Sequence, residues 1–201
     1  LAAELRVAQA YGARFVNVHA GSHRGEGIEA GAALLAAGIR DVLAATADDA
    51  PDVALVVENG TGGLRLGATI EELGAIDRAV LDLGAARDRL GFCLDAAHLW
   101  AVGYRIDTGA GVDRTIAAFD AVIGLDRLRL VHLNASRSER GSLHDRPEHV
   151  GARRIGPAGL QRLVLHPDLG HVTYLLETPG MDEGWDAVNL ARVRDLAEGR
   201  P

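Results

Sequence analysis

The sequence alternates short apolar runs with longer helical stretches, and this alternation restricts the possible folds more than any other feature. The apolar runs cover residues 14–19, 53–58, 90–95, 128–133 and 171–177. Helical patterns cover residues 1–12, 27–47, 70–82, 112–124 and 184–198, with a further helix predicted to begin at Pro157. Strands that alternate with helices pair in parallel through right-handed crossovers. The chain is therefore predicted to be an α/β protein with a parallel sheet.

Each apolar run ends near a side chain that can bind a metal ion. These side chains are His19, Glu58, Asp95 with His98, His132 and Glu177, and Asp145 follows a short way beyond His132. A single histidine at such a position is more often structural, but a carboxylate is costly to bury without a partner. Three separate salt bridges would satisfy the three strand-end carboxylates, whereas shared metal ions would satisfy all of them at once. We therefore predict one cluster at the carboxyl ends of the strands, where parallel barrels build their active sites.

The number of strands bears on the architecture. Five strands are recognisable, whereas a closed (β/α)8 TIM barrel has eight. An open five-stranded sheet is the alternative, but such sheets collect ligands at the one crevice where strand order reverses. Because every strand here ends near a ligand-type residue, we expect a TIM barrel. The chain is interpreted as a single, partial barrel domain over residues 1–201 that comprises the C-terminal five strand–helix units, with the N-terminal strands expected upstream of Leu1.

Composition narrows the possible settings and partners. No apolar stretch approaches the ~20 residues of a membrane span, and the single cysteine argues against structural disulfides. We therefore expect a cytoplasmic protein without a membrane partner. The sequence leaves the oligomeric state open, and a monomer is the working expectation. The formal charge of −7 argues against binding of nucleic acid through bulk charge, although bound cations would reverse the charge of the clustered acids. Five arginines follow His132 and are expected either to contact phosphates or to lie in a solvated loop. They are Arg137, Arg140, Arg146, Arg153 and Arg154.

The candidate ligands indicate a class of chemistry. Imidazole nitrogens and carboxylate oxygens together favour zinc. Seven candidates exceed the needs of one tetrahedral ion, which indicates a multinuclear site. Such sites activate water and stabilise the attacking and leaving oxygens, so hydrolysis of a phosphate ester is the favoured reaction. Asp95 and His98 lie at a predicted strand-to-loop junction and are expected to point to neighbouring metals, whereas Cys93 is interpreted as a small buried hydrophobe.

Several motifs resemble those of one family. HAGSH is similar to its H-P-G-S-H, ENGTGGLRLG to its E-N-x-A-G-x-G, and LLETPG to its closing L-E-T-P. CLDAAHLWAVGYR and HLNASRSERGSLHDRPEHVG are similar to two further segments. Over essentially its whole length the chain thus resembles endonuclease IV, the zinc-dependent apurinic/apyrimidinic endonucleases with a TIM-barrel fold. The resemblance implies DNA repair by cleavage of double-stranded DNA on the 5′ side of an abasic site.

The resemblance also implies a role for each candidate ligand. Glu58 would bridge two zinc ions, with His19 on the first of them. The second zinc would be completed by Asp95, His132 and Glu177, and the third would be held by His98 and Asp145. Glu177 would orient or deprotonate the attacking water, so Glu58 and Glu177 are the predicted catalytic residues.

Two departures from the family pattern carry expectations of their own. Pro147 stands where the family has a histidine for the third zinc, so that zinc is expected to bind weakly, with His144 or His149 as substitutes after a loop shift. A further histidine of the first zinc is expected upstream of Leu1. We accordingly expect cleavage to be impaired in a chain of this length.

Two other interpretations remain open at this point. A divalent-metal sugar isomerase or epimerase of the xylose-isomerase-like barrels would use Glu58, Asp95, His132 and Glu177 around one metal. A non-catalytic fragment is the second alternative, because loss of three strands would expose both edges of the sheet.

Overall fold

A computed structural model of the protein describes residues 1–85, 87–152 and 154–200. The helices are α1 (Ala2–Ala10), α2 (Ile28–Ala45), α3 (Ile70–Asp82), α4 (Ala96–Val102), α5 (Gly109–Val122), α6 (Gly156–Val164) and α7 (Trp185–Ala197). The strands are β1 (Phe15–His19), β2 (Ala54–Glu58), β3 (Leu90–Asp95), β4 (Leu128–His132), β5 (Ala135–Ser136), β6 (Pro147–Glu148) and β7 (Thr173–Leu175). Every predicted helix and strand is therefore present, with small differences in its bounds.

The main sheet is parallel and follows the order of the chain. Its five strands lie in the order β1, β2, β3, β4 and β7. A barrel wall is built in this sequential order, whereas a doubly wound sheet reverses its order at a switch point. The predicted barrel fold is confirmed as a parallel half-barrel of five strands, and the doubly wound alternative is wrong.

The two faces of the sheet carry different residues because side chains alternate along each strand. Leu55 and Val57 point to the large core under the helices. Val56 lies on the opposite face, where it forms a small apolar cluster with Cys93 and Leu130. The residues two positions further along these three strands are Glu58, Asp95 and His132, which therefore project from the same inner face. The alternation of side chains along each strand thus places all three at the carboxyl-terminal end of the half-barrel, which is called the mouth below.

A buried ion pair secures the opposite end of the sheet. Arg127, just before β4, lies 2.9 Å from the carboxylate of Asp77 in α3 and donates to the carbonyl of Leu90 at 3.0 Å. Both charged side chains are almost fully buried. This pair fixes β4 to α3 and β3, far from the strand ends that carry the candidate ligands.

The chain departs from the sequence prediction after β3. The Asp95 carboxylate accepts a hydrogen bond from the backbone N–H of His98 at 2.8 Å and caps α4. Because an N-cap aspartate satisfies the first free N–H groups of a helix, the strand passes directly into a helix. The predicted strand-to-loop junction at Asp95 and His98 is therefore wrong.

Two other predicted segments also differ. The segment after β4, where no strand was predicted, contains a short antiparallel pair, in which Ala135 lies opposite Glu148 and Ser136 opposite Pro147. β7 ends at Leu175, so Glu177 lies beyond the strand rather than within the predicted run of 171–177. Across the described part of the chain, the helices are too short or too polar to pass through a bilayer.

Candidate metal centre

Sheet register places the strand-end ligands side by side. His19 in β1 lies opposite Glu58 in β2, and Asp95 in β3 lies opposite His132 in β4. Glu177 follows β7, the next strand along the sheet. The parallel pairing thus brings all five residues to the same edge.

The first candidate group consists of Glu58, Asp95, His132 and Glu177. The Nδ1 atom of His132 lies 3.5 Å from Glu58, 3.6 Å from Asp95 and 3.1 Å from Glu177, measured to the nearest carboxylate oxygen. One ligand atom from each residue lies within 4.8 Å of the others. Three of the side chains are 2% exposed, whereas that of Glu177 is 59% exposed and faces the mouth. Glu177 is therefore the member of this group that solvent or a substrate can reach.

Two buried atoms of this group have no hydrogen-bond partner among the described residues. They are Oε1 of Glu58 and Nδ1 of His132. Both have ion-pair neighbours within 4 Å, but a buried polar atom without a hydrogen bond costs about 1–3 kcal/mol, and a charged one costs more. A cation between these atoms would satisfy both, so the residues present fit a bound metal.

The second candidate group consists of His19, Glu58 and His98. The Oε1 atom of Glu58 lies 3.2 Å from Nδ1 of His98, and Oε2 lies 4.0 Å from Nδ1 of His19. The two imidazole rings are 5.5 Å apart between centroids. These ligand atoms also lie within 4.8 Å of one another. Glu58 is shared by both groups, so it would contribute to the binding of an ion in either of them.

Cys93 is also part of the centre. It forms a third candidate group with Glu58 and His132, again within 4.8 Å. Burial raises the pKa of the Cys93 thiol to about 12. The prediction that Cys93 is buried is confirmed, but the sequence analysis did not place it beside His132.

Three asparagines that the sequence analysis missed support the ligands. Asn17 donates to Oε2 of Glu58 at 2.6 Å, and Asn59 accepts from the backbone N–H of Asp95 at 2.6 Å. Asn134 donates to Oδ2 of Asp95 at 2.7 Å. The sequence contained a signal for two of these asparagines, because Asn59 follows Glu58 directly and Asn134 stands two residues after His132. Such outer contacts orient metal ligands and fix their charge state.

The electrostatics of the centre favour a cation. Burial lowers the pKa of His132, but the surrounding side chains, Asp95 foremost, outweigh burial and raise it well above its usual range. Burial likewise opposes the charged form of His98, yet Asp145 and Asp95 raise the pKa of His98 to about 9. Contact with His132 lowers the pKa of Glu177. A metal ion would therefore displace the protons of His132 and His98 and meet an ionised carboxylate at Glu177.

Comparison with known proteins connects this geometry to a family. The model of the family described as xylose isomerase-like TIM barrel matches residues 1–197. The Probable endonuclease 4 of Methanoculleus marisnigri is 37% identical over 198 residues, which cover 98% of this chain and 68% of that protein. The Probable endonuclease 4 of Solibacter usitatus is 40% identical over 197 residues, with coverage of 96% and 66%. This chain belongs to the endonuclease IV family.

Solved structures agree with this assignment. The crystal structure of endonuclease IV from Thermus thermophilus matches with a TM-score of 0.81 at 33% identity, covering 98% of this chain and 66% of that one. The chain thus spans about two thirds of the length of these endonuclease IV relatives. A D-tagatose 3-epimerase-like protein matches with a TM-score of 0.63 at 14% identity, which shows the shared fold alone.

The residues expected at a third endonuclease IV zinc are only partly assembled. Asp145 lies 3.2 Å from Nε2 of His98, but Pro147 in β6 offers no ligand atom. His144 contacts the carbonyl of Ser142 at 2.6 Å. His149 stacks on Trp185 with 4.0 Å between ring centroids. Neither substitute histidine joins a candidate metal group among the described residues.

The arginines beyond His132 are partly engaged with acids. Arg137 lies 2.9 Å from Glu148, and Arg154 forms an ion pair with Glu139. Arg153 lies outside the described residues. Contact between these arginines and phosphates therefore stays a prediction.

Proposed function

We propose that this protein hydrolyses the phosphodiester on the 5′ side of abasic sites in double-stranded DNA, with zinc as its metal. The observation that carries the proposal is Glu58, which takes part in every candidate metal group of the described residues. A carboxylate shared between two groups suits a centre that handles both the attacking and the leaving oxygen of a phosphate ester. Membership in the endonuclease IV family supports the same substrate class. Because DNA is the proposed substrate and Cys93 forms no disulfide, we keep the cytoplasm as the proposed location.

The protein side chains have two roles in this proposal, which are positioning and proton transfer. Bound zinc ions would lower the pKa of water and stabilise negative charge on the phosphate oxygens. Glu58 is held by Asn17 on one oxygen, so its other oxygen faces His98 and His132. Glu177 is ionised and accessible, which suits it to accept a proton from the attacking water. The water oxygen would bond to phosphorus as the bond to the 3′-oxygen breaks. The leaving oxygen would take up a proton from solvent, which gives a 3′-hydroxyl and a 5′-phosphate.

The proposal is tested with a labelled duplex that carries one abasic site. Zinc-loaded protein in excess should cut this duplex and leave an intact duplex uncut, and chelation of the metal should stop the reaction. Excess protein allows a single turnover to be measured even if the rate is low. Glu177→Gln should slow cleavage by roughly 100-fold or more, as for loss of a general base, while Glu71→Gln on the surface of α3 should not. A zinc-loaded protein that leaves both duplexes uncut would contradict the proposal.

Metal stoichiometry separates this function from the isomerase alternative. Two or three tightly bound zinc ions per chain agree with the nuclease, because the two candidate groups share Glu58 but use different histidines. About one manganese or magnesium ion would favour the isomerase, since carboxylates and water suit those ions. The fold-level likeness to an epimerase gives no separate support to that alternative.

A further inference from the structure

Asn134 connects two residues that belong to the same candidate metal group. Its side-chain N–H donates to Oδ2 of Asp95 at 2.7 Å. Its side-chain oxygen accepts from the backbone N–H of Glu177 at 2.9 Å. The side chain is 1% exposed; its hydrogen bond to Asp95 is buried, and the one from Glu177 is partly buried. One planar amide thus sets the distance between the end of β3 and the segment after β7.

Glu177 depends on this contact because it lies outside the sheet. β7 ends at Leu175, whose carbonyl accepts from the backbone N–H of Leu133 at 2.8 Å. Beyond that hydrogen bond the strand ladder no longer holds the chain. The carboxylate of Glu177 is largely exposed and contacts Nδ1 of His132 at 3.1 Å, but this contact does not hold the backbone. The amide of Asn134 is therefore the contact that fixes the backbone of Glu177 at the mouth.

Asp95 needs the same amide for a different reason. Its Oδ1 atom accepts from the backbone N–H of His98 and caps α4. Its own backbone N–H donates to Asn59 at 2.6 Å. Oδ2 is the oxygen that remains, and it faces His132 at 3.6 Å. The N–H of Asn134 directs this remaining oxygen toward the metal group.

We infer that Asn134 is a positioning residue, which holds Asp95 and Glu177 at the separation that metal binding and hydrolysis require. The inference rests on the proposed function for its catalytic part only. Asparagine suits the position because one rigid group offers a donor at one end and an acceptor at the other. Outer contacts of this kind typically change metal affinity by about 10–100-fold when they are removed.

Asn134→Leu tests the inference, because leucine fills a similar volume without either hydrogen bond. Cobalt(II) serves as the spectroscopic probe in place of zinc, and its visible absorption reports the geometry of its ligands. We expect cobalt binding to weaken by about 10–100-fold, with a changed absorption spectrum. Cleavage of the abasic duplex should fall through kcat, with KM for DNA little changed, because Asn134 contacts neither substrate nor metal in this arrangement.

Thr115→Val is the control, because valine has the shape of threonine without its hydroxyl. Thr115 is buried in α5 and donates to the carbonyl of Gly111 at 2.9 Å. Neither residue belongs to a candidate metal group found among the described residues, so this variant reports general destabilisation. Wild-type cobalt affinity and spectrum in Asn134→Leu would overturn the inference, as would an equal change in Thr115→Val. If Asn134→Leu does not fold, the same measurements on Asn134→Ser test the inference with the same expected and contradicting outcomes.

The spectroscopic and catalytic readouts separate the two proposals. Wild-type protein that binds cobalt without cutting DNA would contradict the proposed function. The cobalt spectrum of Asn134→Leu would still test the positioning role of Asn134.

Discussion

The Oε1 atom of Glu58 lies 3.5 Å from the Nδ1 atom of His132, although β3 separates the strands that carry them. Both atoms are buried and have no hydrogen-bond partner within the described part of the chain. Such atoms are costly in a dry interior, and a shared cation would remove that cost. The pair therefore provides the clearest physical reason for a metal at this place.

Glu58→Gln is expected to remove more metal than any other single carboxylate substitution. Glu58 belongs to both proposed metal positions, whereas Glu177 belongs to one. After dialysis, mass-spectrometric metal analysis should therefore find Glu58→Gln nearly empty and Glu177→Gln partly loaded. Glu71→Gln, on the exposed start of α3, should retain the wild-type content. Equal losses in Glu58→Gln and Glu177→Gln would contradict a bridging role.

Pro147→His is expected to strengthen binding of a third zinc. Asp145 and His98 already lie 3.2 Å apart, and a histidine two residues after Asp145 would add a third ligand. Zinc titration should show one weak site in the unmodified protein that becomes tight in the variant. Pro147→Ala also removes the ring but supplies no ligand, so it is the control. Three equally tight sites in the unmodified protein would show that Pro147 does not weaken the third position.

The stability of the chelator-treated protein should fall as the pH rises above neutrality. Against the effect of burial, Asp145 and Asp95 raise the pKa of His98 from 6.5 to about 9. A raised folded-state pKa stabilises the fold below the unfolded pKa, and this contribution is lost as the pH rises through the folded pKa. Urea unfolding in EDTA should therefore show falling stability between pH 6.5 and 9.

Asp145→Asn should flatten this pH dependence, because the amide cannot hold a proton on His98 as the carboxylate does. Asp182→Asn on the surface should leave the dependence unchanged. An unaltered slope in Asp145→Asn would mean that other groups dominate the titration.

Asp77→Asn is expected to destabilise the protein without affecting metal content directly. It leaves Arg127 as an uncompensated charge with 2% of its side chain exposed. Removing one partner of a buried ion pair costs on the order of 3 kcal/mol. Denaturant unfolding should report this loss, and Asp82→Asn at the exposed end of the same helix should change stability little. A negligible change in Asp77→Asn would show that the pair is neutral for stability.

Much of the architecture and most candidate ligands could be predicted from local patterns. Apolar runs and helical periodicity located the strands, and alternation along a strand put Glu58, Asp95 and His132 on one face. Parallel strands end at a common edge, so residues at their ends were expected to meet. The prediction failed where a side chain changed the local backbone, as when Asp95 capped α4 and turned an expected loop into a helix.

The remaining features depend on contacts between residues far apart in the chain. Asn134 is joined to Asp95 and Glu177 across separations of 39 and 43 residues, and no periodicity in the sequence encodes such a bridge. His149 was a plausible ligand by spacing, but its stacking on Trp185 holds it elsewhere. Residue type and strand period were sufficient to identify the candidate ligands and the edge where they gather, because both are local properties. The sharing of Glu58 between two groups and the support of each carboxylate were decided by three-dimensional packing, because hydrogen bonds and ion pairs act only at short range in space.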